Sequence, residues 1–330
     1  MRWWLLSLLV ILLVVAHLLS GSVFIPPAGV LKIITGKVPE QPAWADLIWL
    51  YRLPKALTAL LAGSALSLSG LFMQTYFRNP LAGPDVLGLS AGASLFVALF
   101  IMTGSVLPLP SGSASVLIAA FAGSALVFLL MTSVAYLLKD ASSLLISGLM
   151  VSALVSALVS VLHFFSRAEL QQYFFMWSMG SLGHLNYTEL VWLALALALG
   201  TLLAATLTKA ANAWLLGENY ARSMGIATGR TRLLIIICAS LLTGAVTAFC
   251  GPIGFVGIAV PHLTRLLFRT ANHRQLIPGT LLCGGALMLL CDLTAQLPGS
   301  ARVLPINVIT ALVGSPVVIW VIMRNKKTWV

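Results

Sequence analysis

Charged residues are scarce in this chain: 8% of its 330 residues are Asp, Glu, Lys or Arg, and only eight are acidic. A soluble globular domain carries about 25% charged residues, so there is too little charge here to clothe a soluble surface. Cysteine is equally sparse. Cys238, Cys250, Cys283 and Cys291 all lie inside apolar runs and none forms a C-x-x-C, so they read as small packing residues rather than a disulfide or metal set. The histidines (His17, His163, His184, His262 and His273) are scattered, which leaves no cluster of His, Asp or Glu for a membrane-embedded catalytic centre. No G-x-x-x-x-G-K-S/T occurs, so the chain has no phosphate-cradling loop of its own.

Apolar residues are abundant, at 60% of the chain with a mean hydropathy of +1.03. A membrane span needs about 20 mainly apolar residues. Ten such runs can be counted, near 3–20, 53–76, 86–103, 115–138, 142–165, 187–208, 233–250, 253–268, 276–296 and 306–323. The expected fold is all-α: a polytopic integral membrane protein of about ten transmembrane helices, in one domain over residues 1–330. Two divisions are weak, since 233–268 also reads as one long kinked helix and 276–296 contains Asp292. The start, MRWWLLSLLVILLVVAHLLSGS, has the basic beginning of a signal peptide. Its long apolar stretch, the missing A-x-A site and an interfacial Trp3–Trp4 pair favour a retained first helix.

The net charge of +11 is compatible with nucleic-acid binding, but the basic residues sit in short clusters between apolar runs. That is the pattern of membrane topology, and no nucleic-acid partner is expected. With the N-terminus inside, thirteen of the nineteen Lys and Arg fall on the inner side; Lys32, Lys37, Arg52, Lys55, Arg167 and Arg302 fall outside. Both chain ends are therefore expected in the cytoplasm. The outer loop at 21–52 carries Pro26, Pro27, Pro39 and Pro42 and is expected to be extended. Ala59, Gly63 and Ser67 form a small-xxx-small ridge on the second span. RNPLAGPDVLG (78–88) reads as a tight inner connector, because its prolines and glycines cannot continue a helix.

The longest polar segment on the inner side is KAANAWLLGENYARSMGIATGRTR (209–232). Glu218 to Met224 suits a two-turn helix with Glu218 and Arg222 at i,i+4, and Gly225 falls where a left-handed cap belongs. Leu215, Leu216, Tyr220, Ala221 and Met224 give that helix an apolar side with no span of its own. It reads either as a plug for another protein's groove or as a connector folded back on the bundle.

On the fifth span Ser152, Ser156 and Ser160 recur every four residues, with His163 one turn beyond. Hydroxyls that bond back to their own helix are cheap to bury, so this stripe either packs a neighbour or lines a polar-tolerant path. ELQQYFFMWSMGSL follows as a short interfacial helix. Gly251, Pro252, Gly254, Gly257 and Pro261 break the chain in an apolar region, as a tight outer turn or as broken backbone covered by protein. Asp292 would cost about 2.5–3.5 kcal/mol at a bilayer centre; near the end of its span it reads as a capping or tethering group.

Six segments, YRLPKAL, RNPLAGPDVLGLSAGASL, WSMGSL, LGENYARSMGI, GPIGFVGIAVPHLTRLL and LPINVITALVGSPVVIWVI, are similar in order and register to permease subunits of the FecCD-type family. These serve ABC importers for iron–siderophore complexes, haem and vitamin B12. The resemblance implies a ten-helix inner-membrane subunit that pairs with a second copy around a central path. It further implies two ATPase subunits, which hold the ATP and Mg, and a substrate-binding protein that delivers the cargo. No cofactor or metal is expected on this chain, which is expected not to be an enzyme. By resemblance, Leu215, Leu216, Gly217, Glu218, Ala221, Arg222, Met224 and Gly225 form the ATPase-coupling helix. Ser152, Ser156, Ser160 and His163 line the path, and Arg52, Lys55 and Arg302 meet the binding protein. The chain departs from the family at Gln296, Val303 and Asn307, so no function is carried to those positions. An ion-gradient-driven secondary transporter is the rival reading; it needs ionisable groups at mid-membrane, for which the sequence offers Asp292.

Overall fold

A computed structural model describes residues 2–21, 23–103, 113–138, 141–296 and 303–324. The long apolar runs become helices because a backbone in lipid must satisfy its N–H and C=O groups within itself. In chain order these are α1 (Arg2–Leu19), α2 (Pro27–Ile34), α3 (Ala43–Asp46), α4 (Leu53–Phe77), α5 (Leu89–Thr103), α6 (Ser113–Leu137) and α7 (Ala141–Phe165). There follow α8 (Ala168–Ser178), α9 (Tyr187–Trp214), α10 (Glu218–Ser223), α11 (Thr228–Cys250), α12 (Val256–Phe268), α13 (His273–Ala295) and α14 (Ile306–Arg324). Among the described residues seven helical stretches are long and apolar enough to cross a membrane, and α5, α12 and Ile306–Trp320 are shorter apolar helices. Together they match the ten runs of the sequence.

The bundle is organised around α4, which is buried along nearly its whole length. Small residues make this possible. A Cβ on Gly63 would lie 2.3 Å from Gly284 O, and one on Gly70 would lie 1.8 Å from Gly257 O. With no hydrophobic effect between helices in lipid, close backbone approach and interhelical hydrogen bonds hold such a bundle. Ser64 Oγ donates to Leu281 O (2.8 Å), and Ser69 Oγ sits between Ala239 O (3.0 Å) and Thr243 Oγ1 (2.7 Å). By contrast α1, α7 and α9 leave most of their length exposed.

Three segments differ from the sequence reading, sharpen it or decide between its alternatives. The 21–52 region is largely helical rather than extended: Pro27 occupies the first turn of α2, where its missing N–H costs nothing, and a π-helical turn at Leu47–Arg52 runs straight into α4. Residues 78–88 connect α4 to α5 as a tight, partly buried turn. The chain turns at Arg78 (φ 47) and climbs back into the bundle, where a 3-10 turn at Pro84–Leu87 packs against glycines of other helices. Ideal Cβ atoms on Gly257 and Gly148 would lie 2.4 Å from Pro84 Cδ and 2.0 Å from Val86 O. Finally α11 and α12 are separate helices, divided at Gly251–Phe255. That broken backbone is covered by protein: Asn307 Oδ1 accepts from Gly254 N (3.1 Å), Ser181 N donates to Cys250 O (2.8 Å), and Asn307 N donates to Met179 O (3.2 Å).

Candidate functional site

At one end of the bundle α10 stands below the long helices. Ala221 faces inward, while Leu216 (63% exposed), Tyr220 and Met224 (60%) project outward. Leu215 is half-buried and Gly217 is buried at φ 108. Gly225 takes φ 79, Ile226 N donates to Ala221 O (3.1 Å) and Gly225 N donates to Arg222 O (3.0 Å), which is a Schellman cap. The helix is also pinned from its inner side. Glu218 pairs with exposed Arg222 and with buried Arg232 of α11, each at 3.4 Å. Arg232 in turn donates to Leu138 O (3.2 Å) and Ala135 O (3.4 Å), where α6 ends and its carbonyls lack helical partners.

At the opposite end, α1, α8 and the start of α14 border a cavity of about 1240 Å³ whose lining includes His17, Arg52, Lys55, Trp177, His184 and Asp292. Asp292, 3% exposed, receives three groups on one oxygen: Lys55 Nζ at 3.0 Å, His17 Nε2 at 3.1 Å and Gln296 Nε2 at 3.1 Å. The carboxylate thus tethers α13 to α1 and α4, and the Lys55 charge offsets the cost of burying it. Arg52 is buried, and its guanidinium donates to Leu18 O (2.7 Å) and to Val23 O. It caps the C-terminal end of α1 rather than standing free on the surface, because those last carbonyls have no helical donor. Lys55 is partly exposed at the cavity edge, and Arg302 lies outside the described residues.

The serine stripe of α7 divides. Ser152 is half-buried beside Gly88 and bonds back to Gly148 O (3.0 Å), whereas Ser156 and Ser160 are exposed, Ser160 bonding to Ser156 O (2.8 Å). The His163 ring is half-buried and stands edge-on to Phe174 of α8, with centroids 5.4 Å apart. That contact joins α7 to the interfacial helix.

Residues 8–324 match the model of the FecCD transport family. The chain belongs to that family. The vitamin B12 import system permease protein BtuC of Salmonella typhi is 35% identical over 331 residues, covering 99% of this chain and 96% of the relative. The same protein from Salmonella newport (strain SL254) matches equally well. Among solved structures, an inward-facing putative metal-chelate type ABC transporter aligns with a TM-score of 0.85 at 29% identity, covering 97% of this chain and 98% of the other. PsaBC from Streptococcus pneumoniae shares the fold, with a TM-score of 0.53 at 14% identity over 88% of this chain. This FecCD protein is accordingly a transport permease.

Several residues of the FecCD chain escaped the sequence reading. Arg232 was counted only as an inner-side charge, although a buried arginine and the glutamate fourteen residues before it are natural partners. His17 stands alone in an apolar run, and Asp292 reads as a tether without naming its partner; two polar groups stranded in lipid-facing sequence imply each other. Asn307, a departure from the family pattern, is the side chain that satisfies the broken backbone at Gly254. No local signal marks it.

Proposed function

We propose that the chain is the membrane-spanning permease subunit of an ATP-binding-cassette importer for a metal chelate of the iron–siderophore, haem or cobalamin class. Two copies form the passage in the inner membrane, with both chain ends in the cytoplasm. An ATPase subunit grips each α10, and ATP and Mg act there. A binding protein delivers cargo at the α8 end, around the cavity rim that holds Arg52 and Lys55. Family membership and relatives named as vitamin B12 permeases support this reading. The observation that carries it is α10 itself: three apolar side chains held outward on a helix pinned from behind by Glu218 and Arg232. ATP binding that moves α10 shifts the bundle only if each partner prefers one of its states.

Leu216→Asp and Met224→Asp test the assignment in the full complex. Each is expected to uncouple hydrolysis from uptake or to release the ATPase subunit. Normal uptake with normal ATPase association in both variants would refute it.

A further inference from the structure

Asp85 stands on the turn Pro84–Leu87, exposed as a residue in the single chain while its carboxylate bonds to Ser90 in a part-buried setting. Contacts on three neighbouring helices fix the depth of that turn. Val86 packs at Gly148, seven residues into α7 and about 10 Å from its start. Ser124, near the middle of α6, donates to Leu89 O (3.3 Å). Pro84 packs at Gly257, which in turn meets Gly70, seven residues above the end of α4. Asp85 therefore lies well inside the thickness of the bundle, not at either interface.

A carboxylate at that depth costs about 2.5–3.5 kcal/mol facing hydrocarbon, and such groups instead face protein or a water-filled space. Its described partners do not neutralise it. Ser90 Oγ donates to Asp85 Oδ1, and Ser90 lies 3.1 Å from Thr247 Oγ1. A hydroxyl orients the carboxylate and brings no positive charge to offset its own. Among the described ion pairs none includes Asp85. The helix that holds the turn, α7, also leaves Ser156 and Ser160 exposed one and two turns beyond Ser152.

We propose that Asp85 faces the aqueous passage and contacts the cargo, presenting a negative charge to groups that are cationic or donate hydrogen bonds. Ammonium and amide N–H groups on the periphery of a chelate are the chemistry it fits. This rests on the permease reading above.

The test uses the assembled transporter in proteoliposomes, in a background with Cys238, Cys250, Cys283 and Cys291 replaced by alanine. Asp85→Cys is expected to react with a water-soluble cationic thiosulfonate in the nucleotide-free or the ATP-bound state. Labelling only by a lipid-soluble maleimide, no labelling, or protection with disulfide formation between copies would each overturn the proposal. The charge is tested at Leu81→Cys, an exposed position in the same segment. Its preference for a cationic over an anionic thiosulfonate should fall about tenfold when Asp85→Asn is added, as a nearby unit charge implies; an unchanged ratio overturns the electrostatic role. Failure of the permease reading would appear separately, as an ATPase subunit that does not co-assemble, and would leave these labelling rates as they are.

Discussion

The Arg232 guanidinium and the Glu218 carboxylate meet 3.4 Å apart, and this contact joins α10 to α11 while the other arm of Arg232 holds the last carbonyls of α6. A push on α10 therefore reaches two spans through side chains as well as through the backbone between α10 and α11.

Replacing either partner should loosen that link. Glu218→Gln and Arg232→Gln are each expected to weaken the seating of α10 by about 1–2 kcal/mol, between the value of an exposed pair and that of a charged hydrogen bond. The readout is ATP hydrolysis that no longer rises with cargo-loaded binding protein while the ATPase subunit still co-purifies. Arg232→Lys should recover little, since an ammonium cannot fork between a carboxylate and two carbonyls. Wild-type transport in both Gln variants would remove Arg232 from the transmission route.

The Asp292 cluster behaves differently because it is buried. Asp292→Asn strands the Lys55 ammonium, and Lys55→Met leaves the carboxylate against His17 and Gln296. Lys55→Met, which leaves the buried carboxylate without its cation, is expected to cost about 3–5 kcal/mol, and Asp292→Asn less, because the Lys55 ammonium borders the cavity. Lys55→Met combined with Asp292→Asn should cost clearly less than the sum. Thermal unfolding of the purified protein in detergent measures the cycle; strict additivity would mean that the two residues do not interact.

Helix contact through glycine makes a third prediction. Gly70→Ala puts a methyl 1.8 Å from Gly257 O, a backbone atom that cannot swing aside. The penalty should reach or exceed the ~1–3 kcal/mol typical of overpacking. Gly36→Ala has open space around it and pays only for its positive φ of 75, about 1–2 kcal/mol. Comparing the melting temperatures of the two variants separates packing from backbone strain. Equal losses would contradict the close α4–α12 contact.

Much of the fold was legible in the residues because lipid imposes a simple rule. Runs such as 142–165 and 187–208 have no option but helix, and Gly63 and Ser67 announced a close neighbour. The α10 helix was legible too, through Glu218, Arg222 and Gly225 at their local spacings. What was not legible shares a cause. Proline and glycine in RNPLAGPDVLG say that a helix stops, but not at what depth the stop is tolerated. That depth was set by Gly148 and Gly257, far away in the chain. The burial of Arg52 was likewise not legible, because nothing near it reveals that α1 ends beside it with open carbonyls.

The sequence by itself determined that this is a bundle of about ten apolar helices with a separate short amphipathic helix, since hydropathy and helix capping are local properties read within a few turns. Only the tertiary structure decided which polar groups are tied up and which are open to a partner: Arg52 to α1, Asp292 to Lys55 and His17, Arg232 to Glu218, and Asp85 left exposed at mid-depth. Those outcomes depend on contacts between residues tens to hundreds of positions apart. In a bundle of similar apolar helices, such contacts follow from packing and not from any local pattern.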